Sequence, residues 1–156
     1  MNEKRSARAK AGAVIRRQAH GDAHVDHAMS EADDFMMMFH NVTDEFCWGT
    51  IWARPGLDMK TRAMLSLAIT ASHSQTGAVK LHTKTCLRAG WSKQQIGEAL
   101  LHVYCYAGVY ASLSGFLSAK EAFAEVDGKR RKSAAGEKRR QPTTSWRSPA
   151  ANRVKK

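Results

Sequence analysis

Apolar residues recur along this chain at intervals of three and four, and nowhere alternate with the two-residue period of a strand, so the pattern predicts helices throughout. Residues 31–47, EADDFMMMFHNVTDEFC, open with acids suited to a helix N-terminus and then set Phe35, Met38, Phe39, Val42 and Phe46 at helical spacing. The next piece, WGTIWARPGLD, breaks the pattern: its tryptophans, glycines and proline predict an ordered connector packed by aromatics. Asp58 can cap a helix running to about Ser72, with Met64, Leu65, Ala68 and Ile69 facing inward. A further helix covers about Gly77 to Ala89 and stops at Gly90, where a left-handed cap is wanted. Ser92 and Gln95 form a capping box for the next helix, with Trp91 and Ile96 as its hydrophobic staple. That helix ends at Gly108, and a last one, Tyr110 to Val126, is expected to bury Leu113, Phe116, Leu117 and Phe123. Residues 3–19 read as a basic peripheral helix ended by Gly21. Connections this short make neighbouring helices antiparallel, and the fold expected is an all-α bundle of about six helices.

Charge divides the chain more sharply than hydropathy does. Its 156 residues suffice for one domain, and the net charge is +11. Residues 128–156 alone carry +10, against +1 for residues 1–127, so the domain is nearly neutral and the basic character belongs to the end. The division expected is a basic N-terminal helix (1–19), a domain (20–127) and a basic tail (128–156). Apart from Trp146 and Val154 the tail has almost no large apolar side chain, which predicts disorder and leaves open weak contact with a polyanion. The three cysteines, Cys47, Cys86 and Cys105, form no C-x-x-C pair and imply neither a disulfide framework nor a structural zinc site. No apolar run has the length of a membrane span or the form of a signal peptide, and a cytoplasmic protein is expected.

Candidate chemistry gathers on two helices. In TGAVKLHTKTCLRAG, His82 and Cys86 stand at i and i+4; on the following helix Glu98, His102 and Tyr106 form a second ladder at the same spacing. A metal reading pools His82, Glu98 and His102, but two helices must converge to build it and no H-E-x-x-H is present. A thiolate reading of Cys86 draws on Lys84, Arg88 and His82, yet the residue lies near a helix C-terminus, where the dipole disfavours the anion; a packed thiol is the simpler reading. His24, His27, His40 and His73 read as surface or structural histidines.

Three features lift these residues above that background: the connector WG-x-x-W-x-RPGLD, a histidine eight residues before a helix-ending glycine (His82, Gly90), and E-x-L-L-H followed by Y-x-G (Glu98 to His102, Tyr106 to Gly108). In this order and spacing they resemble the carboxymuconolactone decarboxylase family, cofactor-free relatives of alkyl hydroperoxidase D, over residues 20–126. The resemblance implies an all-α alkyl hydroperoxidase D-like bundle assembled into homotrimers or homohexamers, with no cofactor and no metal. The hydroperoxidase branch uses C-x-x-C-x-x-x-H, and here its cysteine positions hold Gln75 and Ala78, so dithiol peroxide reduction is not available at that place.

The decarboxylase branch removes CO2 from 4-carboxymuconolactone in protocatechuate breakdown, and this small lactone acid supplies its own electron sink. The roles implied are carboxylate binding by Arg54 and Arg62, or an ion pair that ties down the connector; oxyanion donation or proton transfer by His82; and orientation or protonation by Glu98. Trp48, Trp52, Tyr106 and His102 complete the implied substrate surface. Two positions depart from the branch: Ala78 stands where a glutamate is usual and Tyr110 where a proline is. They fit altered specificity or loss of that reaction. The alternatives carried are a hydroperoxidase-like redox protein and a non-catalytic oligomer whose tail recruits a polyanion.

Overall fold

A computed structural model describes the backbone of residues 5–140 and the side chains of residues 5–134, and all regular structure among these residues is helical. In chain order the helices are α1 (Ala7–His20), α2 (Asp22–Ser30), α3 (Asp34–Val42), a π-helix (Thr43–Trp52), α4 (Met59–Ser72), α5 (Thr76–Arg88), α6 (Lys93–Ala107) and α7 (Val109–Arg140). Local chemistry sets most boundaries. Asp58 accepts from the Thr61 N–H at 2.7 Å, and the Ser92–Gln95 capping box is formed in both directions. Gly90 and Gly108 take φ of 86° and 88°, the left-handed conformation that lets one helix stop and the next begin within a few residues.

The core lies where α4, α5, α6 and α7 meet, and it sets Leu67, Ile96 and Leu100 among small residues. Ala63, Leu67, Ala71, Val79, Cys86, Ile96, Leu100, Val103, Ala111 and Ala119 form one buried cluster. This corrects the inward faces expected from the pattern in part: Met64, Ala68 and Phe123 pack against the cluster as expected, and the other positions do not. On α4 the buried stripe is Ala63–Leu67–Ala71, while Leu65 and Ile69 are 47% and 58% exposed. On α7 the buried positions include Ala111, Ser112, Ala119 and Ala122, and Leu113, Phe116 and Leu117 point outward. On α3, Phe35, Met38, Phe39 and Val42 are exposed as well. Small residues let the helices approach closely at these positions, and Leu65, Ile69, Leu113 and Leu117 occupy the exposed faces. A single chain therefore exposes many large apolar side chains on α3, α4 and α7.

The chain departs from expectation in further ways. α1 is not peripheral: Ala9, Gly12, Arg16, Ala19 and His20 are buried. It packs backbone to backbone on the π-helix, since a Cβ on Gly12 would lie 1.9 Å from the Asp44 carbonyl oxygen and 2.6 Å from the Gly49 nitrogen. The segment expected as one helix over 31–47 starts at Asp34, capped by Asp33, and passes without a break from α3 into the π-helix, so the expected connector is helical as far as Trp52. Its i→i+5 pairing is seen in the Ala53 N–H to Trp48 carbonyl bond of 3.1 Å. Asp44, buried on this helix, pairs with Arg16 at 3.4 Å and with Arg5, fastening the wider turn to α1. Finally, α7 continues past Val126 to Arg140, which puts Lys129, Arg130, Arg131 and Lys132 on a helix; residues 141–156 of the expected tail lie outside the described residues.

Candidate active site

On α5 the residues Ala78, His82 and Thr85 fall at i, i+4 and i+7, a stripe distinct from the core stripe Val79–Thr83–Cys86. The core stripe faces the bundle, and the other faces α1: Thr85 Oγ1 lies 2.9 Å from Nδ1 of His20, and Arg88 donates to the Ala19 carbonyl at 3.2 Å. The His20 ring stands 5.6 Å from that of His82, centroid to centroid, and edge-on to Trp48 at 4.9 Å. Trp48, 4% exposed, packs on Trp52 at 4.5 Å. The π-helix makes this wall, because its wide turn keeps Trp48 and Trp52 on one side.

The result is a pair of imidazoles, His20 buried and His82 half-buried, backed on the His20 side by two indoles. Burial lowers the pKa of His82, and its Nδ1 is fully enclosed with no hydrogen-bond partner among the described residues. Burial, aided by the nearby His82, His24, Arg16 and Arg88, pushes His20 down to about 3. Both rings are therefore neutral at physiological pH. An unfolded chain takes up protons on these histidines as pH falls through about 6.5, whereas the folded chain resists, so stability is full above that pH and declines below it. Melting temperature should drop between pH 7 and pH 5, above the range where carboxylates titrate. His20→Leu should flatten that part of the profile, and an unchanged slope would contradict the assignment.

The other expected site residues are placed differently. Arg62 donates to the backbone carbonyls of Leu57 (3.1 Å) and Arg54 (3.0 Å), so it ties down the connector through hydrogen bonds to main chain and not through an ion pair. Arg54 is exposed, with no side-chain partner among the described residues. Glu98, His102 and Tyr106 lie on the exposed face of α6; the His102 and Tyr106 rings are 4.8 Å apart, and among the described residues no hydrogen bond, ion pair or ring contact joins any of the three to His82. No three His, Cys, Asp or Glu among the described residues are placed to hold a metal ion, so the trio His82, Glu98 and His102 is not assembled within one chain. Cys86 is fully buried, and burial drives its thiol up to about 12, which makes it packing. Tyr110 is 82% exposed and lines a groove with Thr76, Gly77 and Lys80 of the first turns of α5.

The sequence model described as the carboxymuconolactone decarboxylase family matches residues 39–121, the stretch from the end of α3 into α7 that carries the tryptophan wall and His82. The chain belongs to the carboxymuconolactone decarboxylase family. Within the family, it is 31% identical over 119 residues to 4-carboxymuconolactone decarboxylase of Acinetobacter baylyi, covering 76% of this chain and 89% of the relative. It is 30% identical over 106 residues to nitrosuccinic acid decarboxylase npaB of Metarhizium robertsii, covering 68% and 74%. The all-α bundle is the alkyl hydroperoxidase D-like fold of this family.

One member of the site, His20, carries no signal in the sequence that marks it as functional. It precedes the helix-ending Gly21, a position that signals only a C-terminus, and its contact to Thr85 spans 65 residues. The one local cue is that a titratable residue falls on the face of α1 carrying Ala9, Gly12, Arg16 and Ala19.

Proposed function

We propose that this protein is a cofactor-independent decarboxylase acting on a small dicarboxylate that carries its own electron acceptor. The observation that carries this reading is a neutral, half-buried His82, linked through His20 to the tryptophan wall, in a chain similar to two proteins that are both named as decarboxylases. The acids in those names share two carboxylates and an acceptor: a lactone carbonyl reached through a double bond in one, a nitro group in the other. In each, the C–CO2 bond can break with its electron pair passing to an oxygen of the acceptor, after which carbon takes one proton. CO2 leaves, and one solvent proton is consumed per turnover.

The residues divide that work. His82, half-buried and neutral, donates a hydrogen bond to the oxygen on which charge develops, where a preorganised donor is worth most. Trp48 and Trp52 keep water from the carboxylate that departs, and Arg54, whose guanidinium has no partner among the described residues, holds the carboxylate that stays. Ala78 leaves the position one turn before His82 without a carboxylate, and Tyr110 narrows the approach along the start of α5; both favour a substrate different in shape from 4-carboxymuconolactone. Purified protein should release CO2 from 4-carboxymuconolactone, from nitrosuccinate or from both. Failure with these and with a panel of related unsaturated dicarboxylates would refute the proposal.

Glu98, His102 and Tyr106 share the exposed face of α6 with Leu101 and Tyr104. We propose that this face and the outward side chains of α7 are covered by further copies of the chain in a homotrimer or homohexamer. Sedimentation equilibrium should return three or six times the chain mass of 17.3 kDa; a monomer or dimer mass would contradict this.

A further inference from the structure

The charges along α7 change character at Gly128. Before it, acids of α7 meet lysines of α5 and α6: Glu121 and Glu125 pair with Lys80, Glu125 also with Lys84, and Asp127 with Lys93 at 2.7 Å. After it stand Lys129, Arg130, Arg131 and Lys132, and none of the four forms an ion pair among the described residues. Every residue from 128 to 134 is exposed, so the helix has left the bundle. From Gly128 to Arg140 it extends about 20 Å, at about 1.5 Å per residue.

Four like charges in one turn repel one another and weaken a helix that no packing supports. An anionic partner removes that cost, and the geometry selects its kind. Successive residues of a helix point about 100° apart, so residues 129–132 carry positive charge right round the axis. A bilayer surface meets one side of a helix and rewards apolar side chains there, whereas past Gly128 this helix has no apolar residue larger than alanine. The major groove of duplex DNA, about 12 Å wide, admits a helix about 10–12 Å across and sets a phosphate backbone along each flank. Cations on all sides of the helix then find phosphates on both.

We propose that α7 beyond Gly128 is a DNA-binding arm, which enters the major groove of duplex DNA and is held by its phosphates through Lys129, Arg130, Arg131 and Lys132. Lys138, Arg139 and Arg140 continue the basic sequence to the end of the helix, against the single acid Glu137. At the root of the arm Lys129 and Arg130 line a groove with Lys84 and Arg88 of α5, whose one acid, Glu125, is already held by Lys80 and Lys84. The domain thus adds positive charge beside the DNA flank. The arm lies beyond residue 121, outside the family match, and the proposal is independent of the reaction at His82.

The test is fluorescence anisotropy of a short labelled DNA duplex with the full chain across a salt series. Four phosphate contacts predict that affinity falls at least about a hundredfold between about 50 and 200 mM salt. The combined Lys129→Gln, Arg130→Gln, Arg131→Gln and Lys132→Gln variant should lower the slope of log affinity against log salt by about 3–4, with its melting temperature unchanged. Arg147→Gln, Arg153→Gln, Lys155→Gln and Lys156→Gln together remove the same charge from the sequence beyond α7, and should lower the slope by less than about 1. Ser133→Pro breaks the helix without altering charge and should weaken binding about tenfold or more. Equal losses from the two fourfold variants, or wild-type binding by Ser133→Pro, would show that net charge and not the helix binds, and would overturn the proposal. Half-saturation by phosphatidylserine-containing vesicles at a lower phosphate concentration than by the duplex would overturn it in favour of a membrane, and so would an absence of salt-dependent duplex binding.

Discussion

His82→Ala is expected to lower kcat/KM about a thousandfold while the protein stays folded. A positioned donor or proton carrier at the reacting group is worth about 10²–10⁴ in rate, and a partly buried site makes it worth more than in water. The fold should survive because the imidazole contributes little to packing. It lies beside the core stripe of α5 and leaves its Nδ1 unpaired, so the substitution removes a buried polar atom together with the apolar contacts of the ring. The check is steady-state turnover of wild type and variant beside their near-ultraviolet circular dichroism, which reports Trp48 and Trp52. A loss under tenfold with intact dichroism would remove His82 from the chemistry.

Gly12→Ala is expected to have the largest effect on stability. A methyl group there would lie 1.9 Å from the Asp44 carbonyl oxygen, and both colliding groups are backbone, so no side chain can rotate out of the way. Either α1 moves off the π-helix or the π-helix deforms. The cost should reach about 4 kcal/mol, at the top of the range for single substitutions, and for a chain of this size that is about 10 °C in melting temperature. Because α1 also carries His20 and Arg16, separation would expose His20 and break the Asp44 pairing, so turnover should fall as well. Gly77→Ala is the control: nothing lies within 4 Å of the added methyl, and the change should be neutral or slightly stabilising. Equal melting temperatures for Gly12→Ala and wild type would mean that the α1 interface is not packed as described.

The contrast between these two glycines shows which features are legible in the sequence. Asp58, the Ser92–Gln95 box, Gly90 and Gly108 act on their own neighbours, so their helix ends can be placed from the sequence alone. The inward faces cannot. Hydrophobic spacing marks Leu65, Ile69, Leu113 and Leu117 as apolar, but it is the close approach of α4 and α7 that selects the small residues beside them for the core. The π-helix is hidden for a related reason: its extra residue per turn answers to Gly12, Gly49 and the Arg16–Asp44 pair, contacts across the chain that spacing does not encode. Of the candidate site, His82, Trp48 and Trp52 follow from the family pattern; the two indoles pack together and His82 is linked to them only through His20, while Arg62, read as a substrate ligand or a tie, holds main-chain carbonyls of the connector. His20, which joins the histidine to the tryptophans, requires the fold.

The most direct test of cofactor-free decarboxylation is CO2 release under chelation. Chelator-treated wild-type protein, supplied with 4-carboxymuconolactone and separately with nitrosuccinate, should release one CO2 per molecule of at least one of them consumed, and His82→Ala should reduce that rate about a thousandfold. Release that is lost on chelation and restored by a metal ion, or that proceeds equally well without His82, would contradict cofactor-free decarboxylation at this site.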